Sequence, residues 1–268
     1  MTAFDRETAI EQVGPDSWTT TISSEWNIGV NPNGGYLLSP LLGALSHLTR
    51  HPDPVTVTTH FLRPGIADAP AELTVELIRE GRTFASLRGA LHQDGKTRLE
   101  MLATFGDLSG GGGPEDFGPT APTLLEPERC PLRSEADQDL VLPILDRVEV
   151  RIPPEYMVGT RRPEAELAGW IRFRDGRPSD SRSILLFADA FPPAIFNRLG
   201  RTGWVPTVEL TVHSRRRPAP GWMQGTFSCS DLAGSQLIED GMLWDSTGQL
   251  VARSRQLAFL REEQPPAR

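Results

Sequence analysis

PVTVTTHFLRPG (54–65) and PTVELTVHSRRRP (206–218) read as two versions of one strand. His213 lies 153 residues after His60, Gly248 lies 153 after Gly95, and Phe259 lies 154 after Phe105. Each version leads through alternating segments to a Gly-containing turn, Asp94-Gly95 or Thr247-Gly248. A last strand then ends in LATF (102–105) or LAFL (257–260). A near-constant offset across several landmarks implies two copies of one fold unit.

Working outward, the first copy opens with a strand near Thr19–Ile22 and the turn cluster Asn31-Pro32-Asn33-Gly34-Gly35. Leu37, Leu38, Leu41, Leu42, Leu45 and Leu48 then recur at helical spacing, with too few polar breaks for a surface helix. Pro40 is expected near the front of that helix, where N–H groups lack partners anyway. A meander of four strands follows: Val55–Leu62, then Ala71–Leu77, Arg82–Gln93 and Thr97–Phe105. In the second copy strands are predicted at 144–152, 167–174, 208–213, 222–230, 235–243 and 249–260. The helix counterpart spans Ser183 to Gly200, to be ended or kinked by Pro192-Pro193.

The chain of 268 residues accordingly divides into a first unit (1–107), a Pro/Gly-rich linker (108–143), a second unit (144–261) and a disordered tail (262–268). Gly110–Gly113 lacks the Gly-Lys-Ser/Thr of a phosphate loop, so it is read as linker. Hydrophobic residues are 38% and charged residues 23%, an ordinary globular balance. A net charge of −8 disfavours a broad nucleic-acid surface. Cys130 and Cys229 are read as free thiols, and no histidine sits at metal-ligand spacing, so no metal is expected. MTAFDRETAI carries no apolar run and no stretch is long enough to span a membrane, so a cytoplasmic setting is the expectation. No G-x-S-x-G elbow occurs, which argues against an α/β-hydrolase.

The copies differ in chemistry. Asp189 lies within LLFADAFPP, expected inside the second helix, whereas the first helix has no carboxylate between Tyr36 and Ser46. A carboxylate among apolar neighbours needs hydrogen-bond donors or a raised pKa. Gln256 stands in the last strand, opposite Leu102 or Ala103 of the first copy, and Thr207 opens the strand that Pro54 or Val55 opens there. A carboxylate, a hydroxyl and a carboxamide brought together can hold and aim one water, and the carboxylate can take its proton. His60 and His213 recur in both copies, which favours a structural role.

At these residues the chain resembles the double-hotdog acyl-CoA thioesterases of the thioesterase II (TesB-like) family. NGGYLL (33–38), HFLRPG (60–65) and GRTFASLRGALHQDGK (81–96) carry the resemblance in the first copy. ADAFPPA (188–194) and STGQLVARSRQ (246–256) carry it in the second. The resemblance implies an α+β fold: a double hotdog of two curved antiparallel sheets, each wrapped around a central helix, forming one pseudo-dimeric unit. It implies hydrolysis of acyl-CoA to fatty acid and CoA without a cofactor, with Asp189, Thr207 and Gln256 as the catalytic trio and Thr211 as the fallback threonine. Backbone N–H groups of Gly34 and Gly35 would hold the oxyanion. Arg215-Arg216-Arg217, with Arg63 as a second candidate, read either as contacts for CoA phosphates or as a solvated strand end. Association into dimers or higher homo-oligomers is a further implication. An enoyl-CoA hydratase of this fold would need a histidine five residues after Asp189, where Ala194 stands. A non-catalytic acyl or acyl-CoA binding protein is the remaining alternative.

Overall fold

Period-two burial builds most of this molecule. The computed structural model describes residues 1–109, 117–137, 140–200 and 203–261. In the first half the strands are β1 (Glu11–Gly14), β2 (Ser17–Ile22), the short pair β3 (Asn27–Ile28) and β4 (Asn31–Pro32), β5 (Asp53–Phe61), β6 (Ala69–Glu80), β7 (Ala85–Gln93) and β8 (Lys96–Gly106). The second half has β9 (Val148–Arg151), β10 (Ala165–Phe173), β11 (Thr207–Ser214), β12 (Met223–Ala233), β13 (Gln236–Trp244) and β14 (Leu250–Phe259). Four helices are described: α1 (Ala3–Glu7), α2 (Gly34–Ser46), α3 (Ser183–Ala188) and α4 (Ile195–Leu199). Helix α1 and strand β1 were not foreseen. Strand β9 is shorter than predicted, because 143–146 coils into a 3-10 turn.

Twelve of these strands form one antiparallel sheet in the order β1-β2-β6-β7-β8-β5-β11-β14-β13-β12-β10-β9. The expectation of two separate sheets is therefore corrected. Strands β5 and β11 would each present an open edge, and they pair with one another instead. The simple meander is corrected too, since β5 neighbours β8 rather than β6. From either side the order reads alike towards the seam: β2-β6-β7-β8-β5 and β10-β12-β13-β14-β11.

Register fixes which residues correspond. Thr58 lies opposite Thr211 across the seam, their hydroxyl oxygens 2.9 Å apart. Val57 pairs with Ala103 and Leu210 pairs with Gln256. Pro54 pairs with Phe105 and Thr207 pairs with Ala258. The offset of 153 thus holds throughout: Gln256 corresponds to Ala103, Thr207 to Pro54, and Phe105 to Ala258 rather than Phe259. Phe105 and Ala258 both face the core.

Helix α2 starts where Asn33 caps it, the Asn33 Oδ1 accepting the Tyr36 N–H at 2.9 Å. Gly35 to Leu45 are buried on every side. Pro40 sits in the helix interior, not at its front. Burial of five leucines, each worth ~1.5–3 kcal/mol, outweighs the lost hydrogen bond of about 3 kcal/mol. The predicted second central helix is broken. Helix α3 stops at Ala188 and α4 resumes at Ile195, because two prolines lack N–H donors and push the preceding residues out of the helical region. Helices α2 and α3 meet at Gly35, where a Cβ would lie 2.6 Å from the Leu185 carbonyl oxygen and 2.8 Å from the Leu186 Cα.

The described part of the predicted linker is fastened down. Trp170, Trp244 and Gln224 donate to the carbonyls of Leu125, Pro119 and Pro122 at 2.9, 3.0 and 2.7 Å. Gly110–Gly113 and the 262–268 tail lie outside the described residues. No helix among the described residues is long and apolar enough to cross a membrane.

Candidate active site

Asp189 ends α3 rather than lying within it, with φ −122° and ψ 5°. Its Oδ2 accepts the Gly35 N–H at 2.9 Å and the Asn33 Nδ2–H at 2.9 Å. Asn33 Nδ2 also donates to the Asp189 carbonyl at 2.8 Å. These donors come from the first half of the chain, at the N-terminus of α2, where the helix dipole favours negative charge. The Gly34 N–H and the Thr207 hydroxyl also face the carboxylate and favour its ionised form. Burial among apolar side chains opposes them and prevails, raising the Asp189 pKa to about 6.

The glycines serve this contact directly. A Cβ at Gly34 would lie 2.9 Å from Asp189 Oδ2, and one at Gly35 would lie 3.1 Å from the Asp189 Cβ. The Gly35 N–H, expected to hold the oxyanion, donates in this structure to the Asp189 carboxylate.

Asp189 opens onto a cavity of about 700 Å³, a size that suits a small-molecule ligand. Asn33, Gly34, Thr207 and Gln256 line it. Gln256 pairs directly with Glu239 on β13 and Leu210 on β11, and Thr207 pairs with Ala258, two residues further along β14. Alternation places residues 256 and 258 on one face of that strand. The Gln256 side chain makes no hydrogen bond among the described residues. Leu37, Phe61, Phe191, Phe196, Val205 and Phe227 supply much of the apolar wall.

The other expected residues separate. Thr211 is absent from the wall, its hydroxyl engaging Glu209 and Thr58 at the seam. Arg63 lines the cavity mouth, exposed, with its NH1 donating to the Thr97 carbonyl at 2.9 Å. Arg215 and Arg216 are not in the wall. They follow the far end of β11, about 26 Å from Thr207 at ~3.3 Å per residue. Arg217 pairs with Asp53 at 2.8 Å. His60 and His213 are exposed strand residues outside the cavity wall. Among the described residues no cluster of His, Cys, Asp or Glu could hold a metal ion.

Three buried polar residues of the wall escaped sequence reading: Asn33, Arg133 and Glu239. Glu239 was detectable, since it shares the period of Leu237, Gly241 and Leu243 and so must face inward. Its Oε2 accepts the Ala194 N–H at 2.6 Å. Burial raises its pKa to about 7, with Asp189 adding to the shift.

Comparison with known proteins bears on this geometry. A family model described as the acyl-CoA thioesterase N-terminal domain matches residues 22–106, and one described as the C-terminal domain matches 127–260. An uncharacterised protein of Mycobacterium tuberculosis is 28% identical over 269 residues, covering 89% of each chain. A thioesterase II candidate from Thermobifida fusca superposes with a TM-score of 0.89 at 29% identity, covering 98% of each chain. The acyl-CoA thioesterase II TesB2 of Mycobacterium marinum superposes at 0.77 over 98% of this chain and 99% of its own, and at 20% identity it speaks for the fold alone. With both halves of its sheet matched in order, the chain belongs to the TesB-like, double-hotdog acyl-CoA thioesterase family.

Proposed function

We propose that the protein hydrolyses fatty acyl-CoA to free fatty acid and CoA, with Asp189 as general base and Thr207 and Gln256 fixing the attacking water. One observation carries this: an ionisable carboxylate with a pKa near neutrality opens into a ligand-sized cavity beside a hydroxyl and an unengaged carboxamide. At pH 7 a group with pKa about 6 is ~90% ionised, yet basic enough to take a proton from water as it attacks. The water oxygen bonds to the thioester carbon and its proton passes to Asp189. The C–S bond then breaks, and the departing thiolate takes that proton. A free thiol has a pKa of about 8.5, so this return step runs downhill. The Gln256 carboxamide N–H remains available for the carbonyl oxygen, a donor of the kind that stabilises such intermediates.

In the same reading residues 1–107 and 144–261 are two hotdog units forming a pseudo-dimer across the β5–β11 seam. The first supplies Asn33, Gly34 and Gly35, and the second supplies the trio. A panel of acyl-CoAs of graded length, assayed for thiol release, tests the proposal. Turnover is expected at one range of lengths. Saturable binding with no thiol release at any length would leave a binding protein instead.

A further inference from the structure

The turn 189–194 is held by three buried side chains. Asn33 donates to the Asp189 carbonyl, Arg133 NH1 donates to the Ala190 carbonyl at 2.7 Å, and Glu239 accepts from Ala194 N–H. A broken helix leaves backbone groups that need such partners. That accounts for one oxygen of Glu239 and leaves the other unexplained. Glu239 lines the cavity, and Oε1 has no hydrogen-bond partner among the described residues. Around it the surroundings are mixed: Cys229 and Gln256 are its cross-strand neighbours, Leu237 is two residues back on the same face, and Phe191, Phe196 and Phe227 line the same cavity. No cation is paired with it among the described residues, and Asp189 is the charged group that it feels.

A buried carboxyl with one oxygen unpaired is costly unless something satisfies that oxygen. A tunnel for a plain hydrocarbon chain has no use for it. Glu239 stands one strand from Gln256, about 5 Å between backbones. It therefore meets the part of an acyl group near the thioester, not its far end.

We propose that Glu239 is a specificity-determining residue whose cavity-facing oxygen hydrogen-bonds a hydroxyl near the thioester, so that the site prefers hydroxylated acyl groups to plain ones. The inference rests on the acyl-CoA reading of this cavity. A pKa of about 7 suits the role, because the group can accept from a hydroxyl when ionised and donate to it when protonated. A site built to bond a hydroxyl discriminates against the analogue that lacks one, because its own polar group is then left unpaired.

The test compares decanoyl-CoA with its 3-, 6- and 10-hydroxy derivatives, by kcat/KM for thiol release and by Kd of the matching non-hydrolysable thioethers. Wild-type protein is expected to favour the 3- or 6-hydroxy compound by about tenfold on both measures, and the 10-hydroxy compound not at all. Glu239→Leu should abolish the preference. Glu239→Gln, which keeps an acceptor for Ala194 N–H and so the turn, should weaken it several-fold. Hydrolysis of all four compounds at equal efficiency overturns the inference, as does an unchanged preference in folded Glu239→Leu or no binding of any thioether. Preferential thioether binding without thiol release overturns the hydrolase reading and leaves this one standing.

Discussion

Asp189 is held between two opposing forces, and the balance sets what the residue can do. Burial favours its neutral form, while the N–H groups of Gly35, Asn33 and Gly34 and the Thr207 hydroxyl favour the charged one. With a pKa of about 6, kcat/KM should fall tenfold per pH unit below about pH 6 and level off above pH 7. A pH profile flat down to pH 4.5 would contradict this. The sign for stability is opposite. The folded state binds the Asp189 proton more tightly than the unfolded chain does, so this residue's contribution is most favourable below pH 4 and declines as pH rises through 4 to 6. At pH 7 the cost is at most about 3 kcal/mol. Asp189→Asn, whose Oδ1 can still accept from Gly35 and Asn33, should therefore melt at or above the wild-type temperature at pH 7.5. Between the threonines, Thr207→Val should lower kcat by tenfold or more while Thr211→Val leaves it within about twofold, because only Thr207 reaches the cavity. Equal losses in the two variants would remove Thr207 from its role.

Among the elements, the junction of α2 and α3 bears the most. Gly35 stands against the Leu185 carbonyl and the Leu186 Cα, backbone atoms that cannot swing aside. Gly35→Ala should cost about 1–3 kcal/mol by overpacking and pull Asp189 out of place, so urea midpoint and kcat should fall together. Retained activity would show the close approach to be dispensable. The same elements show what the sequence could and could not reveal. Alternation in ELTVEL announced β6, because burial on one face leaves a period, and the Leu-rich run after Gly35 with few polar breaks announced the buried α2. The break after Ala188 was blurred, since each proline disrupts the helix at the carbonyl four residues ahead of it, here Ala188 and Asp189. Asn33 reads locally as a turn residue, and the structure makes it the cap of α2. Its second task, at an aspartate 156 positions away, is a tertiary fact with no local trace. For Arg215 and Arg216 the charge is legible in the sequence, and the distance of their strand end from the cavity is not.

On the scale of the whole molecule, the repeat explains how one cavity can draw on both halves. A continuous sheet through the Thr58–Thr211 seam fixes the halves, and the opposed starts of α2 and end of α3 bring Asn33 to Asp189. A residue of the first half should therefore tune the acid–base chemistry of the second. Asn33→Ala removes a donor to the carboxylate and should move the acid limb of the pH–rate profile upward from about 6. It also removes the α2 cap, costing about 1 kcal/mol. An unshifted limb would show that the two halves act independently.

The central claim is that Asp189 takes the proton from water at a thioester. Thiol release from a series of acyl-CoAs, followed for wild type and Asp189→Asn at pH 7.5 with both proteins shown to be folded, tests it most directly. The account predicts turnover by wild type and a loss of 10²–10⁴-fold in kcat for the variant. Equal rates from the two proteins would contradict it.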